Sequence, residues 1–220
     1  MATFVLVPGG WHGGWYFQGL AEALRARGHR AYPITPTGLA ERRHLLSADV
    51  NLDTHIEDVA RVLETENLSE AILVGHSYAG MVVSGVIDRM SDRVGAAIYC
   101  DACVPDDGQS CFDLVNDPLR KLFLDGAAAD GFSVPPKPGL DPRATAHPLA
   151  SFLQRLRLRH APPAIRRGYI YLSGWPETPF TSVYERLRAS PAWRTFELPV
   201  GHNVVADASD QLLEIVLQFA

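Results

Sequence analysis

A serine stands in the stretch of this chain that is best suited to nucleophilic chemistry. Residues 71–74 are apolar and typical of a buried strand, and residues 81–87 are compatible with a helix. Between these runs, Ser77 has a small residue two positions away on each side, Gly75 before it and Ala79 after it. Small residues there let a strand and a helix approach closely around a sharp turn that exposes the serine hydroxyl. The pattern predicts a strand–turn–helix unit with Ser77 as a nucleophile.

An unactivated serine is a poor nucleophile, so a general base must accompany Ser77. His202 lies in residues 200–204, after the last predicted strand and before the last predicted helix. A histidine base comes last in chain order, after the serine and the acid, where a serine is carried on such a turn. We therefore predict that His202 is the base. His55 lies in a surface-like segment, and His76 is expected to point away from the turn.

Two carboxylates are candidates for the acid that orients the base. Asp101 directly follows a predicted strand at residues 94–100. An aspartate at the carboxyl end of a buried strand needs a polar partner to offset its desolvation, and an imidazole N–H supplies one. Glu177 is the carboxylate nearest to the end of the next predicted strand, 169–172, but it lies beyond Pro176. We favour Asp101, and Glu177 remains the alternative acid.

Acyl transfer also needs two backbone N–H groups fixed where negative charge develops, the oxyanion hole. Tyr78, the residue after the nucleophile, is expected to supply one. Gly10 is expected to supply the other, from the glycine-containing loop after the first predicted strand, residues 3–7. The glycines are also compatible with an ordinary tight turn, and their spacing matches neither a dinucleotide fingerprint nor a P-loop.

Strand-like runs alternate with helical patterns along most of the chain. The predicted strands cover residues 3–7, 29–35, 71–74, 94–100, 169–172 and 193–198. This alternation predicts an α/β fold with a doubly wound, mostly parallel sheet of six strands. No strand is evident between residues 105 and 167, where proline and glycine interrupt helix-like pieces near 112–124 and 149–159. We predict a core of residues 1–104 and 168–220, with 105–167 as a small helical cap inserted after the fourth strand.

Composition excludes several classes of function. A net charge of −5 on 220 residues argues against a surface that binds nucleic acid. No apolar run is long enough to cross a membrane, and no basic leader precedes the first strand, so a cytoplasmic protein is expected. The cysteines are too few for a disulfide framework and lack a second pair of metal ligands, so small buried side chains are expected: Cys100, Cys103 and Cys111.

These positions together resemble the α/β-hydrolase fold family. The resemblance is to its esterase branch, which includes plant salicylate and jasmonate methyl esterases, plant hydroxynitrile lyases and bacterial pyrethroid-hydrolase-like esterases. It covers nearly the whole chain and is carried by residues 4–15, 37–39, 74–80, 104–106 and 201–202. It implies a serine esterase that uses no metal or cofactor.

Three positions depart from the family pattern. Pro8 stands where histidine is frequent, Ala79 replaces the second glycine of the G-x-S-x-G turn, and no aspartate follows the fifth strand. Haloalkane dehalogenases are similar in carrying their acid after the strand that Asp101 follows. The hydroxynitrile lyases carry a lysine close after the catalytic histidine, whereas Asn203 and Val204 follow here, which disfavours cyanide release.

The prediction is hydrolysis of small hydrophobic or aromatic carboxylic esters through an acyl-enzyme. The residues expected to line an apolar substrate pocket are Trp11, Trp15, Phe112, Leu122 and Phe123. Two alternatives stay open: a cofactor-free lyase or cyclase acting on a polyketide-like metabolite, and a non-catalytic small-molecule receptor on the same scaffold. The expected partner is a small-molecule ester, and a homodimer is compatible with a chain of this size.

Overall fold

Eight strands build two sheets in the computed structural model, which describes residues 1–161 and 163–220. The strands are β1 Thr3–Val7, β2 Arg30–Pro33, β3 Ala71–His76, β4 Val94–Cys100, β5 Ser133–Val134, β6 His147–Pro148, β7 Arg166–Leu172 and β8 Arg194–Leu198. Six of them form a parallel sheet in the order β2-β1-β3-β4-β7-β8. The predicted six-stranded, doubly wound sheet is confirmed.

Helices lie between the parallel strands and after the last one. They are α1 Gln18–Ala26, α2 Leu52–Thr65, α3 Ala79–Met90, α4 Cys111–Leu114, α5 Asp117–Gly126, α6 Leu149–Leu153, α7 Thr181–Arg188, α8 Val204–Asp207 and α9 Ser209–Leu217. Helix α2 shows how the sequence determines where a helix begins and which face it buries. The Asn51 side chain accepts a hydrogen bond from the Thr54 backbone N–H in a capping box, and buried Ile56 and Leu63 lie along one face.

Helices cover both faces of the sheet because successive strand side chains point to opposite sides. Phe4 and Leu6 of β1 pack with α1 and α9 in one buried cluster. Val5 and Val7 pack with α2, α3 and α7 in the other cluster, which continues into the segment between β4 and β7. The carboxyl ends of the strands therefore lie between two packed layers, with this inserted segment above them.

The segment between β4 and β7 contains a short hairpin as well as helices. Strands β5 and β6 pair antiparallel, with Ser133 opposite Pro148 and Val134 opposite His147. The prediction that no strand occurs there is wrong, because strands of two residues leave no periodic pattern in the sequence. Strand β7 begins at Arg166, so the sheet includes the last two residues that were assigned to the cap.

Two further properties concern the described part of the chain. Across residues 1–161 and 163–220, no helix is both long and apolar enough to cross a membrane. In the same residues, no group of three or more His, Cys, Asp or Glu side chains is arranged to hold a metal ion.

Candidate active site

Ser77 occupies the sharp turn between β3 and α3. Its φ of 56° lies in the left-handed region, which is costly for a residue with a side chain. Hydrogen bonds hold the turn in this conformation: the Ser77 N–H donates to the Cys100 carbonyl at 3.1 Å, and the Ser77 carbonyl accepts from the Cys103 N–H at 3.1 Å. The residues that follow β4 therefore fix the turn that carries the serine.

Close packing around the turn depends on two glycines. A Cβ at Gly80 would lie 1.9 Å from the Cys103 carbonyl oxygen, whereas the Cβ of Ala79 is accommodated and fully buried. A Cβ at Gly9 would lie 2.9 Å from the Cβ of Ser77, so the loop after β1 passes directly over the serine. Alanine at position 79 is tolerated here because the close backbone approach occurs one residue later.

Asp101 is the carboxylate that contacts His202. The Asp101 Oδ2 and His202 Nδ1 atoms are 2.6 Å apart, and the Asp101 side chain is completely buried. The Asp101 N–H donates to the Ile170 carbonyl at 2.7 Å, and the Leu172 N–H donates to the carboxylate at 3.4 Å. Glu177 is exposed, and its backbone carbonyl accepts from the Asn116 side chain. Of the two candidate acids, the structure brings Asp101 to the histidine.

Burial shifts both partners of this contact away from their charged forms. It raises the pKa of Asp101 to about 8, although the Leu172 N–H acts in the opposite direction. Burial also lowers the pKa of His202 to about 3, and the positive charge of Lys137 adds to this effect. Each shift disfavours the charged form of its own group, and because the two side chains are in hydrogen-bond contact their titration belongs to both groups together.

The backbone N–H groups of Gly10 and Tyr78 are the two that we predict to stabilise an oxyanion at Ser77. All three residues line the same cavity, and neither N–H donates to another residue in the part of the chain that the structure describes. The Gly10 carbonyl is held by the His12 ring, whose Nδ1 lies 2.6 Å from it. The next residue, Trp11, has a φ of 68°. The loop is therefore bent sharply directly after Gly10, the residue predicted to supply an oxyanion-hole N–H.

The cavity that contains Ser77 and His202 has a volume of about 560 Å³. Trp11, Trp15 and Phe123 line it, as expected from the sequence. Phe112 and Leu122 are not part of its lining, so the prediction is wrong at these two positions.

The geometry of the inserted segment explains both exceptions. The Arg120 guanidinium lies over the Phe112 ring, 5.8 Å from its centroid. On α5, Leu119 and Phe123 are one turn apart and both line the cavity, whereas Leu122 is rotated about 100° from Phe123.

Sequence reasoning missed three buried histidines near the cavity. His55 is fully buried, not surface-like, and bonds to the Tyr78 hydroxyl. His76 lines the cavity, packs its ring 4.5 Å from the His202 ring, and donates from Nε2 to the His202 carbonyl at 2.9 Å. His147 is also fully buried. No local pattern marks these residues, because their partners are distant in sequence.

Comparison with known proteins identifies the family to which this chain belongs. Residues 4–215 match the alpha/beta hydrolase family. The carbendazim hydrolyzing esterase of Nocardioides sp. (strain SG-4G) is 37% identical over 97% of this chain and 98% of its own length. A probable esterase of Oryza sativa subsp. indica, PIR7A, is 32% identical over 56% of this chain and 47% of its own length.

A solved structure shares the fold over the full length. It is an extracellular alpha/beta-hydrolase from a Paenibacillus species, described as sharing structural and functional homology with tobacco salicylic acid binding protein 2. It superposes with a TM-score of 0.85 at 21% identity, covering 100% of this chain and 99% of that chain. The family match spans almost the whole chain, and a relative that matches 97% of the chain is a hydrolysing esterase; this chain is thus a member of the alpha/beta hydrolase family and an esterase.

Proposed function

We propose that this esterase works through an acyl-enzyme on Ser77, with His202 as general base and Asp101 as the acid that orients it. The observation that carries the proposal is the 2.6 Å contact between Asp101 Oδ2 and His202 Nδ1, beside the cavity that Ser77 also lines. A histidine held through Nδ1 by a buried carboxylate has its other ring nitrogen, Nε2, available for proton transfer.

The proposed reaction has two halves. Ser77 Oγ attacks the ester carbonyl while His202 Nε2 takes its proton, and the Gly10 and Tyr78 N–H groups stabilise the negative charge on the carbonyl oxygen. His202 then donates the proton to the departing alcohol, which leaves the acyl group on Ser77. In the second half His202 activates a water molecule, which releases the carboxylic acid and restores the serine.

The proposed substrates are small esters with an aromatic or hydrophobic group. A cavity of about 560 Å³ lies in the size range of small-molecule sites. Aromatic side chains supply much of its lining: Trp11, Trp15, Tyr16, Phe123, Phe152, Trp175 and Phe180. The relative named as a carbendazim hydrolyzing esterase, which matches 97% of this chain, supports testing carbendazim as a substrate.

Replacing the nucleophile tests the proposal. We expect Ser77→Ala to reduce hydrolysis of p-nitrophenyl acetate and of carbendazim to the background rate, because no acyl-enzyme can form. A fluorophosphonate should label wild-type Ser77 covalently, with the site identified by peptide mass spectrometry, and should leave Ser77→Ala unlabelled. Thermal melting checks that both proteins are folded.

Two results would contradict the mechanism. Undiminished ester turnover by Ser77→Ala would exclude Ser77 as the nucleophile. A folded wild-type protein that resists the fluorophosphonate and binds aromatic ligands without cleaving them would favour a receptor.

A further inference from the structure

Trp11 is held in its left-handed conformation by residues of the segment inserted between β4 and β7. Its backbone N–H donates to His147 Nδ1 at 3.2 Å. Its backbone carbonyl accepts from the Thr145 N–H at 3.0 Å, and its indole N–H donates to the Val134 carbonyl at 2.9 Å. The inserted segment therefore contacts the backbone and the side chain of the residue that follows Gly10.

The surroundings of His147 fix which of its ring nitrogens can accept. The Ser151 hydroxyl donates to the Pro148 carbonyl at 2.8 Å, so its oxygen accepts from His147 Nε2, 2.8 Å away. Nε2 thus carries the ring proton, and Nδ1 has the free lone pair that the Trp11 N–H requires. The ring is fully buried and stacks on Phe152 at a centroid distance of 4.1 Å, which fixes its orientation.

Two histidines consequently hold the two ends of one peptide unit. The unit joins Gly10 to Trp11: His12 Nδ1 bonds to its carbonyl oxygen at 2.6 Å, and His147 Nδ1 accepts from its N–H at 3.2 Å. Fixing this unit fixes the ψ angle of Gly10, and with it the direction of the Gly10 N–H relative to the rest of the loop. Glycine has little preference of its own at such a position, so the surrounding contacts must supply the restraint.

The second N–H donor is tied to the same group of side chains. His55 Nε2 donates to the Thr37 carbonyl at 2.9 Å, so His55 Nδ1 accepts from the Tyr78 hydroxyl at 2.9 Å. The Tyr78 ring packs edge-on against the His147 ring, with centroids 5.0 Å apart. His147 therefore contacts the Tyr78 ring and accepts a hydrogen bond from the peptide unit that joins Gly10 to Trp11.

We propose that His147 is a positioning residue for the oxyanion hole: by accepting from the Trp11 N–H it keeps the Gly10 N–H aimed at the developing oxyanion. The inference rests on the proposed function. Backbone donors accelerate acyl transfer only when they are fixed where charge appears in the transition state. The inserted segment thereby takes part in transition-state stabilisation as well as in forming the cavity wall.

A pair of amide substitutions separates hydrogen bonding from packing. In His147→Asn the amide oxygen can occupy the place of Nδ1 and still accept from the Trp11 N–H. In His147→Gln the amide reaches the place of Nε2, which keeps a partner for Ser151 and loses the bond to Trp11. Both variants bury a neutral amide, so a difference between them reports on the hydrogen bond to Trp11. A third variant, His147→Leu, removes both hydrogen bonds of the ring, and the comparison of the two amides holds even if His147→Leu fails to fold.

We expect His147→Gln and His147→Leu to lower kcat for p-nitrophenyl acetate about 10- to 100-fold with KM changed less than about threefold, since loss of one oxyanion donor costs about 10²–10³. His147→Asn should keep most of the wild-type kcat. The inhibition constant of phenylboronic acid, which forms a tetrahedral adduct on a nucleophilic serine, should rise in parallel with the loss of kcat. The matched control is His160→Leu, because that exposed histidine of the same segment contacts Asp88 and not the Gly10 loop.

The outcomes distinguish the inference from the proposed function. Equal kcat values for His147→Asn and His147→Gln, or a raised KM with kcat retained in both, would overturn the positioning role. A boronate inhibition constant unchanged in a slowed His147→Gln would overturn it as well. If wild-type protein neither hydrolyses the ester nor reacts with a fluorophosphonate at Ser77, the proposed function fails instead.

Discussion

Three residues of the candidate site adopt backbone conformations that their side chains disfavour. The φ angles of Trp11, Ser77 and Asp101 are 68°, 56° and 43°, all in the left-handed region. Such residues each cost on the order of 1–3 kcal/mol and persist only where the surroundings over-determine them. Here the restraint comes from backbone hydrogen bonds, such as those from Ser77 N–H to Cys100 and from Asp101 N–H to Ile170. Among the described residues, these three are half of the six non-glycine residues with a positive φ, and they are residues to which we assign the chemistry and the support of the oxyanion loop.

At the residue scale, the identity of the acid is open to direct test. We expect Asp101→Asn to lower kcat by about 10⁴, because an amide cannot stabilise the imidazolium and favours the wrong histidine tautomer. Steady-state hydrolysis of p-nitrophenyl acetate measures the change. The matched control, Glu177→Gln, should retain wild-type kcat, since Glu177 is exposed and does not contact His202. A severe loss in Glu177→Gln with an active Asp101→Asn would reverse the assignment.

At the scale of elements, the turn between β3 and α3 is built by close approach of backbones. Gly75 faces α3, where an added Cβ would lie 2.8 Å from Val83 Cγ2. Gly80 faces the chain after β4, where an added Cβ would lie 1.9 Å from the Cys103 carbonyl oxygen. A side-chain end can move aside, whereas a backbone carbonyl that is part of the structure around Ser77 cannot move cheaply. Gly80 is therefore the more restrictive of the two positions.

Two glycine substitutions test this packing. We expect Gly80→Ala to lower the free energy of unfolding by at least about 3 kcal/mol, at the upper end of typical overpacking costs. The matched control is Gly19→Ala on α1, where an added Cβ meets nothing within 4 Å. It should raise the free energy of unfolding by about 0.4–1 kcal/mol, because alanine restricts the unfolded chain. Urea unfolding followed by tryptophan fluorescence measures both, and a wild-type midpoint for Gly80→Ala would contradict the argument.

At the scale of the whole molecule, folding buries histidines in their neutral form. Burial lowers the pKa of His55 to about 4 and places the pKa values of His76 and His147 well below their usual range. The unfolded chain binds protons at these groups as pH falls through about 6.5, whereas the folded protein does not. Stability is therefore lost as pH falls.

The two shifts at the Asp101–His202 pair have opposite effects on this balance. The raised pKa of Asp101 makes the folded protein bind a proton at this carboxyl more readily than the unfolded chain does. The lowered pKa of His202 makes the folded protein bind a proton at this imidazole less readily. The two effects partly offset each other, so the trend follows the other histidines whose pKa burial lowers, His12, His55, His76 and His147.

We therefore expect the urea midpoint to fall between about pH 7.5 and pH 5, with His55 alone contributing about 2 kcal/mol to the loss. His55→Gln removes one of the titrating groups, so its stability should depend less steeply on pH even if its absolute stability is lower. Urea unfolding at constant ionic strength over this range measures both slopes. A wild-type midpoint that is independent of pH, or equal slopes for the two proteins, would contradict the role given to the buried histidines.

The sequence by itself determined the parts of this protein that depend on local pattern. Alternating apolar strands and amphipathic helices specify the doubly wound sheet, because each element must bury one face or both faces. The small residues around Ser77 specify the sharp turn, and the place of His202 after the last strand follows from chain order. Trp11, Trp15 and Phe123 were expected at the cavity because they lie in the loop after β1 and in the inserted segment above the strand ends.

The tertiary structure decided what depends on contacts between distant residues. Asp101 and His202 are 101 positions apart, and Trp11 and His147 are 136 apart. A residue type does not reveal such a partner, because hydrogen bonds and burial are properties of the folded arrangement and not of a local stretch. The sequence therefore favoured Asp101 but left Glu177 as an alternative. It gave no sign of the two-residue strands of the hairpin, and it did not reveal that His55, His76 and His147 are buried.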